Sequence, residues 1–422
     1  MFAKITAGLS VLVLASVGFA APAKAAVVDP AYTAIGAQAL WNQGFTGAGT
    51  SVAFIDQGLN LNHEYFRDQV IDGFCYFEAS TTSLCPNGTK RQSGAAAASQ
   101  RIVNGFPLLE EFHGNMVAGI VAGVPNSSAA GGVAPQSKIV MANVDLSLDA
   151  ITAAAKYVLD NAVTNKTVAL SLSFGGLFED MPRSWLQCDS SPGLVELADI
   201  FAQLRAKGVL TFASAGNTPT LDIATSIFPS CLKEVVAVGS VNQLNEVSWY
   251  VTMSKKIELL APDYAISAST LGYMVSSGTS AAAPLAAGSF ALLRQAFPNA
   301  SSELILAAMK NTGTPIDDVI RQDIPMVNLQ SAYAALAAGT VDMPGKITIG
   351  SYKGYVAIYT QGYEGRKLTA KVAGVWLKVD PITLVPGKTY SLTKRLTGAG
   401  YQIAVEVYID GVLLKSESVL TK

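Results

Sequence analysis

Between residues 30 and 345 two patterns alternate along the chain. Short, nearly continuous apolar runs (Val52–Ile55, Ile139–Val144, Val168–Leu172, Val209–Ala215, Val235–Val241) are separated by Ala-rich stretches with helical spacing, such as Leu148–Asn161 and Gly193–Lys207. Apolar runs without polar alternation predict strands buried on both faces. Their alternation with helices predicts an α/β fold, a doubly wound and mostly parallel sheet with helices on both faces. Functional groups in such sheets gather beyond the carboxyl ends of the strands. The Ala-rich stretch Gly94–Ser99 reads as a surface loop.

The period changes after Ala338–Lys346, where Gly339, Pro344 and Gly345 follow an Ala-rich helix. Beyond it Lys346–Tyr352, Tyr355–Gln361, Lys367–Val379 and Tyr401–Tyr408 read as strands, and Asp410-Gly411 is a tight hairpin signal. Residues 346–422 are therefore expected to form a small, sandwich-like, all-β C-terminal domain. They carry 11 Lys/Arg against 5 Asp/Glu, so the rest of the chain is acidic.

The first 25 residues predict a secretory signal peptide. Lys4 gives a positive start, Ile5–Ala20 is mostly apolar, and Ala23-Lys24-Ala25 fits cleavage after Ala25. No later stretch has the length of apolar residues that a membrane span needs. The expected location is secreted or periplasmic. A net charge of −2 gives no basic footprint for nucleic acid. Four cysteines suit an oxidising compartment and allow three pairings. Cys75 and Cys85 bracket a polar loop that closes locally, which leaves Cys188 with Cys231. Their spacings are not those of zinc sites, so no metal is assigned.

Three segments carry candidate chemistry. Asp56 ends an apolar run in Ser51–Gly58, His113 opens His113–Gly119, and Ser280 lies in Gly278–Pro284. A serine hydroxyl is a poor nucleophile until a base takes its proton. A histidine of near-neutral pKa does so, and a buried carboxylate fixes its tautomer and stabilises its cation. Ser280 is thus the candidate nucleophile, His113 the base and Asp56 the orienting acid. The only other histidine, His63, sits in a loop-like segment. Asn217, in Ala213–Asn217 after an apolar run, offers a side-chain amide to a developing oxyanion, with the Ser280 N–H as second donor.

Together these segments resemble the subtilisin-like serine peptidases, the subtilase family, over roughly residues 30–338. The chain order Asp…His…Ser is the one found in that family. The likeness extends to Thr46-Gly47-Ala48-Gly49 and Lys310-Asn311-Thr312. It implies a subtilisin-like catalytic domain over residues 26–340 and a secreted serine endopeptidase acting on polypeptides through an acyl-enzyme. It further implies that Ser173-Phe174-Gly175 pair with substrate backbone and that Ile227 helps wall the S1 pocket. Ile227 would shorten that slot, so apolar P1 residues of modest size are expected. No cofactor is required for the chemistry. Calcium is common in the family, but no ligand set is assigned here. The C-terminal domain is expected to bind substrate, a cell surface or only its own catalytic domain. Two other functions share the residues: an inactive scaffold used for binding, and an esterase or amidase.

The chain departs from the family pattern at Asn115 and Met116 after the His-Gly, at Ala281 after the serine, and at Leu285. About thirty residues separate the predicted cleavage site from Asp56. That is too few for the N-terminal prodomain many members use.

Overall fold

The computed structural model describes residues 27–108, 111–176, 185–219 and 226–341, and beyond them the strands named below. The signal-peptide segment, residues 342–345 and the Asp410-Gly411 turn lie outside the described residues.

Ten strands form the central sheet: β1 Ser51–Asp56, β2 Val70–Tyr76, β3 Arg91–Ser93, β4 Lys138–Val144, β5 Thr167–Leu172, β6 Leu210–Ser214, β7 Val235–Val241, β8 Ile257–Pro262, β9 Thr314–Ile316 and β10 Ile324–Met326. Their order is β9-β10-β8-β7-β6-β5-β1-β4-β2-β3. All pairs are parallel except the outermost at each edge, β9–β10 and β2–β3.

The strands read as uninterrupted apolar runs because both faces are covered. Side chains alternate between faces along a strand. Val52 and Phe54 of β1 join one core, packed by α1 (His113–Ala122), α4 (Thr279–Ala296), α5 (Ser302–Asn311) and α6 (Leu329–Ala338). Ala53 and Ile55 join the other, packed by α2 (Leu148–Asn161) and α3 (Val195–Ala206). Caps set the helix starts where the sequence supplies them: Ser147 accepts from the Ala150 N–H, and Ser301 from the Leu304 N–H. Among the described residues no helix is long and apolar enough to cross a membrane.

Two local expectations fail. Ala95–Ala98 is a short 3₁₀ turn rather than a surface loop, and Ala97 and Ala98 are fully buried. Gly73 in β2 allows this, since a Cβ there would stand 2.6 Å from the Ala98 nitrogen. The long run Lys367–Val379 is also not one strand. Beyond β11 (Lys346–Tyr352) and β12 (Tyr355–Gln361), β13 (Lys367–Val372) turns back on β14 (Val375–Trp376) with Val372 opposite Val375. Ala373 makes the reversal with φ +51°. Strands β15 (Gln402–Ile409) and β16 (Val412–Leu420) pair as a hairpin, Ile409 opposite Val412. These C-terminal sheets are separate from the central one.

The four cysteines form two pairs, one local and one across 43 residues. Cys75 meets Cys85 with Cα atoms 5.7 Å apart, and Cys188 meets Cys231 at 5.9 Å.

Candidate active site

The carboxyl ends of the neighbouring strands β1, β5 and β6 open into a cleft of about 1040 Å³. Asp56, His113, Ser280 and Asn217 all line it, as do Ser173, Phe174, Gly175 and Ile227. Each candidate reaches the cleft from the end of an element. Asp56 is the last residue of β1, Ser173 follows β5, Asn217 follows β6, and His113 and Ser280 sit in the first turns of α1 and α4.

Asp56 is 2 % exposed, which is costly for a carboxylate unless it is paired. Its partner is His113, whose Nδ1 lies 2.8 Å from Oδ1 and 3.0 Å from Oδ2. The Gln57 N–H also donates to Oδ1. Helix α1 comes this close because its second residue is glycine. A Cβ at Gly114 would strike the Gln57 carbonyl. Gln57 returns the contact, its Oε1 accepting the His113 N–H at 3.1 Å, one of the helix's free first-turn donors. Burial disfavours the imidazolium of His113. The Asp56 charge and hydrogen bond outweigh burial and hold its pKa above the ordinary 6.5.

No hydrogen bond joins Ser280 to His113 in this structure. Its hydroxyl donates to the Ser173 carbonyl at 3.0 Å, and the Ser173 hydroxyl donates back to the Ser280 carbonyl at 2.8 Å. Pro284 explains the second bond. It lacks the N–H that would take the carbonyl four residues earlier in α4, so the Ser280 carbonyl is free for Ser173. The Ser280 N–H has no partner among the described residues.

Asn217 is oriented by the residue before the serine. Thr279 donates both its N–H and its hydroxyl to Asn217 Oδ1, each at 2.9 Å, and the Thr279 hydroxyl oxygen accepts the Gly216 N–H. Since Oδ1 is fixed by donors, Nδ2 is the face left to the cleft. Thr279 was readable in the motif, but nothing in the sequence marked its role.

Ser173 is buried and engaged with Ser280, so the exposed part of its segment is Phe174-Gly175-Gly176. Gly176 pairs with Phe228. Ile227 fills the space between Gly175 and Gly216, where a Cβ on either glycine would meet its Cδ1. His63 stands apart. Its Nδ1 accepts the Tyr65 N–H and its Nε2 donates to the Gly272 carbonyl.

Sequence reasoning missed Arg101 and Glu111, which face each other across 2.5 Å in the same cleft. Burial pushes the Glu111 carboxyl up and Arg101 pulls it back, while the Asp56 charge adds to the rise. The residues that depart from the family pattern serve packing. Asn115 is buried and its Oδ1 accepts the Asn60 N–H at 2.8 Å, holding the loop after Asp56 on α1. Met116, Ala281 and Leu285 lie in the core. Among the described residues no three His, Cys, Asp or Glu side chains assemble as a metal site.

Comparison with known proteins shows the family. The model of the subtilase family matches residues 47–339. Subtilisin of Bacillus pumilus is 25% identical over 306 residues, covering 71% of this chain and 96% of that protein. The major intracellular serine protease of Bacillus subtilis is 30% identical over 270 residues, 62% of this chain and 73% of that one. Among solved structures, a protease from Pseudoalteromonas arctica PAMC 21717 superposes with a TM-score of 0.57 at 23% identity, over 71% of this chain and 94% of its own.

Proposed function

Because this chain belongs to the subtilase family of serine peptidases, we propose that it cleaves polypeptides with Ser280 as nucleophile, His113 as base and Asp56 as the acid that orients His113. The Asp56–His113 pair, at 2.8 and 3.0 Å and on one cleft with Ser280, carries the reading. Substrate binding turns the Ser280 hydroxyl from the Ser173 carbonyl to His113 Nε2. Hydrogen bonds of this kind tighten in the substrate complex. Ser280 then attacks the scissile carbonyl, His113 takes the proton and later gives it to the leaving amine. The Asn217 amide and the Ser280 N–H stabilise the oxyanion on the way to the acyl-enzyme and from it. Phe174-Gly175 lies along the substrate backbone by strand addition. No cofactor takes part in these steps, and no ligand set is assigned to calcium.

The two cysteine pairs and the predicted signal peptide support secretion or export to a periplasm. The C-terminal sheets are proposed to bind substrate or a cell surface. The experiment that tests the function is hydrolysis of an unfolded protein beside a small ester, each with and without a serine-directed covalent inhibitor. Inhibitor-sensitive cleavage of the protein supports the peptidase. Cleavage of the ester alone would favour an esterase.

The raised pKa of His113 sets the pH dependence. The base works only when neutral, so kcat/KM is expected to rise with pH through a midpoint above 6.5. Stability runs the other way. A pKa raised in the folded state contributes stability that is complete below the unfolded value and lost as pH rises through the folded one. A kcat/KM profile between about pH 5 and 9 checks the first statement, and a midpoint below 6.5 contradicts it.

Ile227 is expected to keep the S1 slot short and favour small apolar P1 residues. Ile227→Ala should raise kcat/KM for Phe relative to Ala at P1 by about tenfold, the scale of a few methylenes in a pocket. An unchanged peptide-library profile would remove Ile227 from the pocket.

A further inference from the structure

We propose that Tyr250 and Asp263 are positioning residues that hold the turn in front of Ser280 and, through it, the amide of Asn217. The inference rests on the peptidase reading above and adds to it a hydrogen-bonded relay from a buried carboxylate.

Asp263 follows β8 directly and Tyr250 lies in the segment between β7 and β8, so both come from the end of the sheet that bears the cleft. Asp263 is 8 % exposed, and no Lys, Arg or His pairs with it among the described residues. Hydroxyl groups compensate its charge instead. The Ser248 hydroxyl donates to Oδ2 at 2.6 Å, and the Tyr250 hydroxyl donates to the same oxygen. A carboxylate only accepts, so it draws the phenolic proton to itself and leaves the phenol's lone pair facing away. That lone pair accepts the N–H of Gly278 at 3.1 Å. Burial and the bond to Asp263 push the Tyr250 phenol up, so it stays protonated where a peptidase works.

Gly278 is the N-cap of α4 and is held from both sides. Its φ is +85°, and a Cβ on it would stand 3.0 Å from Asn217 Nδ2. A glycine in such a conformation has no side chain to fix it, so its position depends on what its N–H finds. The next residue is Thr279, which fixes Asn217, and the one after is Ser280. A second tie reinforces the turn. The Ser276 hydroxyl donates to the Asp263 carbonyl at 3.0 Å, and the Ser276 N–H to the Ala265 carbonyl at 2.8 Å. The connection runs Asp263, Tyr250, Gly278, Thr279, Asn217. A tyrosine that merely filled space would be replaced by phenylalanine at no catalytic cost.

The test is steady-state hydrolysis of a peptide substrate by the purified chain and by Tyr250→Phe, Asp263→Ala and Asp263→Asn. Rates are normalised to serine reactive toward a covalent inhibitor, and Tm is measured alongside. Tyr250→Phe is expected to lower kcat by about tenfold to a hundredfold, as a misplaced reacting group does, with KM within about twofold. Asp263→Ala should behave alike. Asp263→Asn keeps an oxygen that accepts the phenol and should retain most of the rate. An active wild type with Tyr250→Phe unchanged in kcat overturns the relay and leaves the peptidase reading intact. So does a loss confined to KM or to Tm. An inactive wild type overturns both.

Discussion

Ser280→Ala is expected to lower kcat by about 10⁶-fold, the known scale for removing the nucleophile of a triad in this family, with little change in Tm. The stability half follows from the contacts. The Ser280 hydroxyl makes one bond, to the Ser173 carbonyl. Its loss leaves one acceptor short, at a cost of about 1 kcal/mol. The reciprocal bond from Ser173 goes to the Ser280 backbone carbonyl and survives the substitution. Alanine is also a better helix former than serine. His113→Ala should cost a similar factor, and the double variant no more than either single one, because nucleophile and base act as a unit. Hydrolysis of an unfolded protein by wild type, both single variants and the double variant checks this. Additive losses would mean that Ser280 and His113 act separately. A folded wild type with no activity toward protein or ester would point to a binding role on the same scaffold.

The parts of the fold that were legible in the sequence share one physical cause. Strands β1, β4, β5 and β7 are covered on both faces, so their apolar runs had no competing period. Asp56 and Asn217 were legible because polar residues ending such runs stand out. The misreadings have equally local causes. Alanine is small enough for a surface or a tight interior; Ala98 is inside because Gly73 leaves room for it, and Ala97 because it packs with Cys75, Phe77 and Cys85. The reversal at Ala373 rests on a positive φ in a residue that rarely takes one. The relay through Tyr250 and Asp263 was invisible for another reason. It joins residues 13 and 28 positions apart in three separate segments, the connection before β8, the residue after β8 and the N-cap of α4.

Asn217→Asp separates activity from stability most sharply. Thr279 donates its N–H and hydroxyl to Oδ1 of Asn217. A carboxylate keeps that acceptor and accepts the same two donors more strongly. It also lies at the start of α4, where a negative charge is favoured by the helix dipole. Tm is therefore expected to stay level or rise. The other oxygen replaces Nδ2, so an oxyanion developing beside it meets a negative charge in place of a donor. Loss of such a donor alone costs about 10²–10³ in kcat in this family, and the repulsion should carry Asn217→Asp to or beyond the upper end. KM should stay within about threefold, because the donor acts on the transition state and hardly on bound substrate. Asn217→Ala is the less informative variant. It removes the acceptor of the Thr279 N–H together with the donor, so lower stability would accompany its lower rate. Acid pH should not rescue Asn217→Asp, since protonating the new carboxyl also protonates His113. If Asn217→Asp and Asn217→Leu both keep kcat within about threefold of wild type, Asn217 is not the oxyanion donor, and the Ser280 N–H would have to serve with some other group.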